Sequence, residues 1–353
     1  MTKRGTLLGA AVASLAAVAS LAAVALAGTA GAATTRSAAD SLTGAGSTFV
    51  SPLVSAWVGD YGTRAGVNIT YGAIGSGGGI ASITARTVDF GASDAPLSTD
   101  QAANCKDCVQ IPWALSATAV IYNIPGVKNN LHITGSLIAD IFLGNVKKWN
   151  DPAITALNPG VALPDLDITP VYRSDGSGTS FNFTDYLSKV SPGFASKVGK
   201  STQPPFPAGV GARGSSGVTG VVARTQGGVT YADVAFALKN RLFFFAVKNQ
   251  AGKFTLPGIK QITAAAATIT SVPADNAISI VDPPKTNADA YPIGTFSWII
   301  VPKKSSKAVA VKRFILYAIS PFGQKLGLRL IFAPLPKVVA VAANRTVAQI
   351  SQG

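Results

Sequence analysis

Short apolar runs alternate with amphipathic stretches along most of this 353-residue chain. The runs have the length of strands, and the stretches repeat apolar residues at helical spacing. The predicted strands are residues 67–71, 88–91, 119–123, 168–172 and 297–302. The predicted helices are residues 52–64, 80–86, 181–190 and 309–320. Strands that alternate with helices predict an α/β fold, with parallel sheets covered by helices on their faces.

The N-terminus has the three parts of a secretory signal peptide. Lys3 and Arg4 form a positive start, residues 7–27 are almost wholly apolar, and Ala30, Gly31 and Ala32 offer a small-residue cleavage site. We therefore predict that residues 1–32 are a signal peptide and that the protein is exported, to the periplasm, the cell envelope or the medium. The alternative is an uncleaved anchor helix. No Cys lies near the cleavage site, so we do not expect a lipid anchor.

The chain is basic, with a formal net charge of +14, and all of its acidic residues are Asp. A basic chain can bind nucleic acids, anionic surfaces or anionic ligands. The Lys and Arg residues are scattered without long basic runs, and the chain is predicted to be exported. Both facts argue against a nucleic-acid partner.

Two cysteines, Cys105 and Cys108, form a C-x-x-C pattern. The pattern can indicate a redox site or half of a metal site. Here the chain has no second Cys pair and a single His, His132, so a zinc ion would lack ligands. We predict a disulfide in an oxidising compartment, and no metal or other cofactor.

Three loops share one chemistry: small residues and hydroxyls directly before a predicted helix. They are residues 44–49 (GAGSTF), 75–79 (GSGGG) and 175–180 (DGSGTS). The first N–H groups of a helix lack partners within it, and the helix dipole is positive there, so such a terminus attracts anions. Ordinary capping explains any one of these loops. The three together, with Arg173 just ahead of the third, favour one oxyanion site.

Other functions find less support in the sequence. The loop at 75–79 is not a dinucleotide-binding G-x-G-x-x-G in the needed register, and no loop carries the lysine of a phosphate-binding P-loop. A serine nucleophile needs a base, usually His, and His132 stands alone. We therefore predict that the protein is not an enzyme.

Several segments resemble the phosphate-specific substrate-binding protein of bacterial ABC transporters. They are TGAGSTF (43–49), AIGSGGGI (73–80), TVDFGASDAPLS (87–98), YNIPGV (122–127), FLGNVKKWNDPAI (142–154), LNPG (157–160) and YRSDGSGTSFNFTDYL (172–187). The matches run in order from about Ser41 to about Pro336.

The resemblance implies a type II-like two-lobe periplasmic-binding-protein fold, with the ligand in a cleft between the lobes. Two crossings would connect the lobes, near residues 122–124 and 291–295. Lobe one would then combine 41–121 with 295–353, and lobe two would be 124–291. The resemblance also implies a monomer that binds inorganic phosphate and delivers it to the permease subunits of an ABC transporter.

The resemblance further implies a set of phosphate ligands. They are Thr48, Phe49, Ser76, Asp94, Arg173, Ser177, Gly178 and Thr179. Asp175 matches the acid that holds the arginine in place. The glycine-rich loop 209–217 also precedes a helix and faces the cleft in this scheme, but no contact is assigned to it.

Two alternative functions stay open at this point. One is a secreted hydrolase of phosphate esters, and the other is the same fold binding sulfate or another oxyanion. Asp94 argues against sulfate, because an ionised carboxylate only accepts hydrogen bonds and needs a ligand that carries a proton. In the competing interpretation, Asp94 merely caps the turn before Ala95 and Pro96.

Overall fold

The computed structural model of the protein describes residues 41–128 and 130–353. The predicted signal peptide lies outside this range. Within it, no helix is long and apolar enough to cross a membrane.

The described chain alternates strands and helices, as the sequence predicts. The strands are β1 (Ser41–Gly46), β2 (Asn68–Ala73), β3 (Phe90–Ser93), β4 (Cys108–Asn123), β5 (His132–Ile133), β6 (Thr169–Arg173), β7 (Val210–Ala212), β8 (Gly228–Asp233), β9 (Phe243–Phe244), β10 (Ala246–Lys248), β11 (Phe254–Thr255) and β12 (Gly294–Pro302). The helices are α1 (Ser51–Ala65), α2 (Ser76–Thr84), α3 (Thr99–Asn104), α4 (Gly135–Phe142), α5 (Pro152–Thr155), α6 (Gly178–Val190), α7 (Pro192–Lys197), α8 (Gly214–Arg224), α9 (Val234–Lys239), α10 (Ile259–Ala266), α11 (Ala308–Ile319), α12 (Pro321–Leu326) and α13 (Lys337–Ala348).

The main sheet has nine strands, ordered β2-β1-β3-β12-β4-β8-β6-β7, with β9 also paired to β4. Its outer parts are parallel, as predicted: β1 pairs with β2 and β3, and β6 pairs with β7 and β8. The centre differs, because β12 is antiparallel to both β3 and β4, and β4 is antiparallel to β8. A second, small sheet contains β11, β10 and β5.

The long strand β4 links the two halves of the main sheet. Its residues up to Ala117 pair with β12, and its residues from Thr118 onward pair with β8. The change of partner precedes the crossing that the sequence predicts near residues 122–124. The first part of β4 was not predicted as a strand, since Pro112 interrupts its apolar run and cannot donate to a ladder. The pairing register shifts beside Pro112, between Ser297 and Trp298, which accommodates the proline.

Helix α1 shows how local sequence sets the ends of an element. Pro52 lies in its first turn, where a missing N–H costs nothing, and Gly66 ends it in the left-handed region at φ 68°. The helix buries Leu53, Val54 and Trp57 against the sheet. Its first turn is thereby fixed at the carboxyl end of β1.

Each half of the sheet has its own apolar core. In the β1 half, Trp57 packs on Trp113, and Phe90 and Phe314 join them. In the β8 half, Phe183 stacks on Tyr231 with ring centroids 4.2 Å apart. Helices α1, α2 and α11 pack on the first half, and α6 and α8 pack on the second. Each loop between a strand and the helix that follows it is therefore anchored at both of its ends by packed elements.

The predicted disulfide between Cys105 and Cys108 is confirmed. The loop that it closes surrounds the side chain of Arg86, whose guanidinium donates to the carbonyl oxygens of Cys105 and Lys106 at 3.0 and 2.8 Å. The loop lies just before β4 and contributes nothing to the site described next.

Candidate functional site

The predicted ligand residues come together at the carboxyl ends of four strands. Thr48 and Phe49 follow β1, Ser76 follows β2, Asp94 follows β3, and Arg173 ends β6. Ser177, Gly178 and Thr179 form the start of α6, directly after the turn that leaves β6. Ligands of open α/β sheets bind in this position, outside the carboxyl ends of the strands.

Arg173 is fixed by a buried ion pair with Asp175. Its Nε donates to Oδ1 of Asp175 at 2.7 Å and its Nη2 donates to Oδ2 at 2.5 Å, and the two side chains are almost fully buried. Burial opposes ionisation of Asp175, but the bonds and charge of Arg173 outweigh it and lower the pKa of this carboxyl. The backbone N–H of Gly214 adds a third bond to Oδ1 at 3.0 Å. Asp175 leaves one hydrogen of Nη2 and both hydrogens of Nη1 unused, and Nη1 lies 3.5 Å from Ser215 Oγ. The remaining N–H groups suit the oxygens of an anion.

Asp94 is the only acidic side chain among these residues besides Asp175, and it is 2% exposed. Ser47 donates to its Oδ2 at 2.5 Å, while its Oδ1 has no partner among the described protein groups. Burial raises the pKa of Asp94 to about 6, although the bond from Ser47 and the charge of Arg173 act in the opposite direction. Ser47 was not predicted from the sequence. Its hydroxyl also accepts the N–H of Val50 at 3.3 Å, so it joins Asp94 to the start of α1.

Ser76 bridges the two halves of the sheet. Its Oγ accepts the N–H of Asp94 at 3.2 Å and the N–H of Gly178 at 3.1 Å. A hydroxyl has two acceptor positions and one hydrogen, so the hydrogen of Ser76 remains to be donated. The N–H of Gly178, predicted as a ligand donor, is engaged by Ser76 in this conformation.

Thr48 makes an equivalent bridge to α8. Its Oγ1 accepts the N–H of Ser215 at 3.1 Å and lies 2.9 Å from the hydroxyl of Ser215. Ser215 was not assigned from the sequence, although loop 209–217 was expected to face the cleft. A hydroxyl next to a glycine at a helix start is the signal that could have singled it out.

The remaining predicted residues are Phe49, Ser177 and Thr179. The Phe49 side chain packs edge-on against Phe332 in the core, so its ring takes no part in the site. Ser177 caps α6 by accepting the N–H of Ser180 at 3.1 Å. Thr179 Oγ1, like Asp94 Oδ1, is buried and has no partner among the described protein groups.

Glycines allow the loops of the two halves to touch. A side chain at Gly178 would meet the backbone of Asp94 at 2.6 Å, and one at Gly75 would meet Asp175 Oδ2 at 2.3 Å. The N–H of Gly77 donates to the carbonyl of Gly176 at 2.9 Å. No L-residue with a Cβ fits at these contacts without displacing the facing loop.

The arrangement combines many donors with one acceptor. Ser76 joins Asp94 to the start of α6, and Ser215 joins Thr48 to Arg173. The donors are hydroxyls, a guanidinium and a helix N-terminus, and the acceptor is Asp94. Donors favour an anion. The single unpartnered carboxylate oxygen favours an anion that retains a proton to donate.

The fold and this site define a class of protein. Residues 31–321 match the model of the PBP superfamily domain, so the chain belongs to the PBP superfamily. Among solved structures, a high-affinity periplasmic phosphate-binding protein bound with phosphate superposes with a TM-score of 0.69 and 20% identity. That match covers 86% of this chain and 93% of the other. At this identity the likeness shows the fold, and it confirms the predicted periplasmic-binding-protein architecture.

Sequence comparison places the chain within that class. It is 40% identical over 298 residues to a phosphate-binding protein PstS of Xylella fastidiosa, which covers 84% of this chain and 81% of that protein. It is 35% identical over 317 residues to a phosphate-binding protein PstS of Haemophilus influenzae, covering 89% and 94% respectively. The chain belongs to the PstS family of phosphate-binding proteins, which confirms the resemblance found in the sequence.

Replacing Asp94 with Asn should change how the stability of the ligand-free protein depends on pH. The folded pKa of about 6 lies above the unfolded value, so the folded protein holds an additional proton between about pH 4 and pH 6. The free energy of unfolding of wild type, measured relative to that of Asp94→Asn, is therefore highest below about pH 4 and falls as the pH rises from about 4 to about 6. We expect a fall on the order of 2–3 kcal/mol, measured by urea unfolding at a series of pH values.

The exposed Asp100 supplies a matched control. Asp100→Asn makes the same chemical change on the surface, and the effect of Asp94→Asn is measured against it. If the free energies of wild type and Asp94→Asn stay parallel from pH 4 to pH 7, the Asp94 pKa is not raised.

Proposed function

We propose that this protein binds inorganic phosphate outside the cytoplasm and delivers it to the permease of an ABC-type importer. The observation that carries the proposal is the buried Asp94, whose Oδ1 has no partner among the described protein groups. It lies where Ser76 ties Asp94 in one half of the sheet to Gly178 in the other. Its PstS relatives are named phosphate-binding proteins, which supports phosphate as the ligand. The proposed ligand set is the one predicted from the sequence: Thr48, Phe49, Ser76, Asp94, Arg173, Ser177, Gly178 and Thr179.

Asp94 accounts for selectivity between oxyanions. Phosphate near neutral pH carries at least one proton, so it can donate to the carboxylate in a charge-assisted bond. Sulfate has no proton at this pH, and its oxygens would face Asp94 Oδ1 with no hydrogen between them. Both groups would then be desolvated and unsatisfied, at a cost of roughly several kcal/mol.

Titration calorimetry with phosphate and sulfate tests this mechanism. We expect tight phosphate binding and sulfate binding weaker by ~10⁴-fold or more, because a site built around a required hydrogen bond rejects analogues that lack it. Asp94→Asn should narrow the gap, since an amide donates as well as accepts, and Asp100→Asn should leave it unchanged. Equal affinity of wild type for the two anions would refute the proposed ligand and its mechanism.

We also infer that the two halves of the sheet are the predicted lobes and that phosphate closes them. Arg173 and Asp94 are 3% and 2% exposed, so an ion cannot reach them in this conformation without an opening of the cleft. The change of partner within β4, between Ala117 and Thr118, offers a connection about which the lobes can move.

Small-angle scattering measures this closure. The radius of gyration of phosphate-stripped protein should fall when phosphate is added and should not change with sulfate, while the scattering mass corresponds to a monomer in both states. An unchanged radius at saturating phosphate would contradict closure.

We propose that the chain is exported and loses residues 1–32. The positive start, the apolar stretch and the small residues at 30–32 support this. N-terminal sequencing of protein recovered from the cell envelope or medium should begin near Ala33. Recovery of the chain with Met1 retained would contradict cleavage.

We further propose that the site binds phosphate without hydrolysing esters and takes no nucleic acid. Among the described residues, no group of three or more His, Cys, Asp or Glu side chains could hold a metal ion. A chromogenic phosphate ester should stay intact in the presence of the purified protein. Release of the chromophore that persists after further purification would support the hydrolase alternative.

A further inference from the structure

Ser215 lies between two of the proposed phosphate ligands without being one of them. It belongs to the first turn of α8, and its side chain is fully buried. Its hydroxyl oxygen is 2.9 Å from Thr48 Oγ1 and 3.5 Å from Arg173 Nη1. Thr48 belongs to the β1 half of the sheet and Arg173 to the β8 half, so Ser215 contacts ligands on both sides of the cleft.

The direction of these hydrogen bonds follows from what each group can donate. A guanidinium only donates, so Ser215 Oγ accepts from Arg173 Nη1. Among the described residues, the other side-chain partner of this hydroxyl is Thr48 Oγ1. Either hydroxyl can be the donor across this contact. Ser215 has no solvent exposure, whereas Thr48 is 7% exposed, so a hydrogen of Ser215 that did not reach Thr48 would be fully buried without an acceptor, which is costly. The arrangement in which Ser215 donates to Thr48 is therefore the favoured one.

This direction also fixes the hydrogen of Thr48. Its Oγ1 already accepts the backbone N–H of Ser215 at 3.1 Å, and the hydroxyl of Ser215 fills its second acceptor position. The hydrogen of Thr48 is left to point into the cleft. Ser76 is held in the same state by two backbone N–H groups, those of Asp94 and Gly178. Thr48 and Ser76 are thus both set to donate.

We propose that Ser215 is a positioning residue for phosphate recognition, which makes Thr48 an obligate donor when the lobes close. The proposal rests on the proposed function. With Thr48, Ser76 and Arg173 all donating, only unprotonated phosphate oxygens fit their side of the site. The proton of the ligand is then directed to Asp94, the one acceptor. Ser215 thereby contributes to selectivity through Thr48, without touching the ion.

A double-mutant cycle separates this role from a merely structural one. Ser215→Ala keeps the backbone N–H bond to Thr48 but removes the hydroxyl that fixes the direction of Thr48. We expect phosphate affinity to fall on the order of tenfold. In a Thr48→Val background, which has no hydroxyl to orient, Ser215→Ala should have little further effect. In a Thr48→Ser background, which keeps the hydroxyl, its effect should return.

Calorimetry on phosphate-stripped protein supplies the affinities, and Ser216→Ala is the control. Ser216 is the exposed neighbour of Ser215 in the same turn, and its replacement should leave affinity unchanged. If the Ala variant does not fold, Ser215→Cys, which keeps the volume with weak hydrogen bonding, takes its place.

The possible outcomes are distinct. If the losses from Ser215→Ala and Thr48→Val simply multiply, Ser215 does not act through Thr48 and the proposal is wrong. An unchanged affinity in Ser215→Ala also overturns it. If wild type itself shows no phosphate binding, the proposed function fails and this proposal fails with it.

Discussion

The buried ion pair between Arg173 and Asp175 is the interaction on which the site depends. A charged side chain almost without solvent exposure is strongly destabilising unless it is paired, and Asp175 supplies that pairing through two parallel bonds. The pair also has no net charge. An anion bound beside it is therefore stabilised by oriented donors and helix N-termini more than by an excess of positive charge. Gly214 ties the start of α8 to the same carboxylate, which brings Ser215 to the site.

Much of this site could be predicted from the sequence because its residues lie in a few short segments of characteristic composition. Glycines and hydroxyls before a helix indicate an anion site on local grounds, and Arg173 and Asp175 are two residues apart. Helices α1, α6 and α11 and strands β2, β6 and β12 were predicted within a few residues of their bounds, whereas β1, β8, α4, α8 and α13 were not predicted. The disulfide was predictable because Cys105 and Cys108 have no other cysteine to pair with.

The parts that were not predicted depend on contacts between distant segments. Ser47 and Asp94 are 47 positions apart, and Thr48 and Ser215 are 167 apart, so no local pattern links them. The use of the Gly178 N–H by Ser76 likewise follows from how closely the two halves of the sheet approach. The first part of β4 was missed because Pro112 argues against a central strand until the shift in register beside it is known.

The unpartnered polar atoms at the site bear both on which anion binds and on the proposed closure of the two lobes. Asp94 Oδ1 and Thr179 Oγ1 are buried with no partner among the protein groups described, and such burial costs free energy. Opening the cleft would return both groups to water and relieve that cost. A ligand that satisfies them favours the closed state by its differential affinity for it. Since Asp94 needs a donor and Thr179 can donate to an unprotonated oxygen, a protonated tetrahedral anion fulfils both requirements. If the lobes close on the ligand as proposed, the same unsatisfied atoms select the ligand and make closure depend on it.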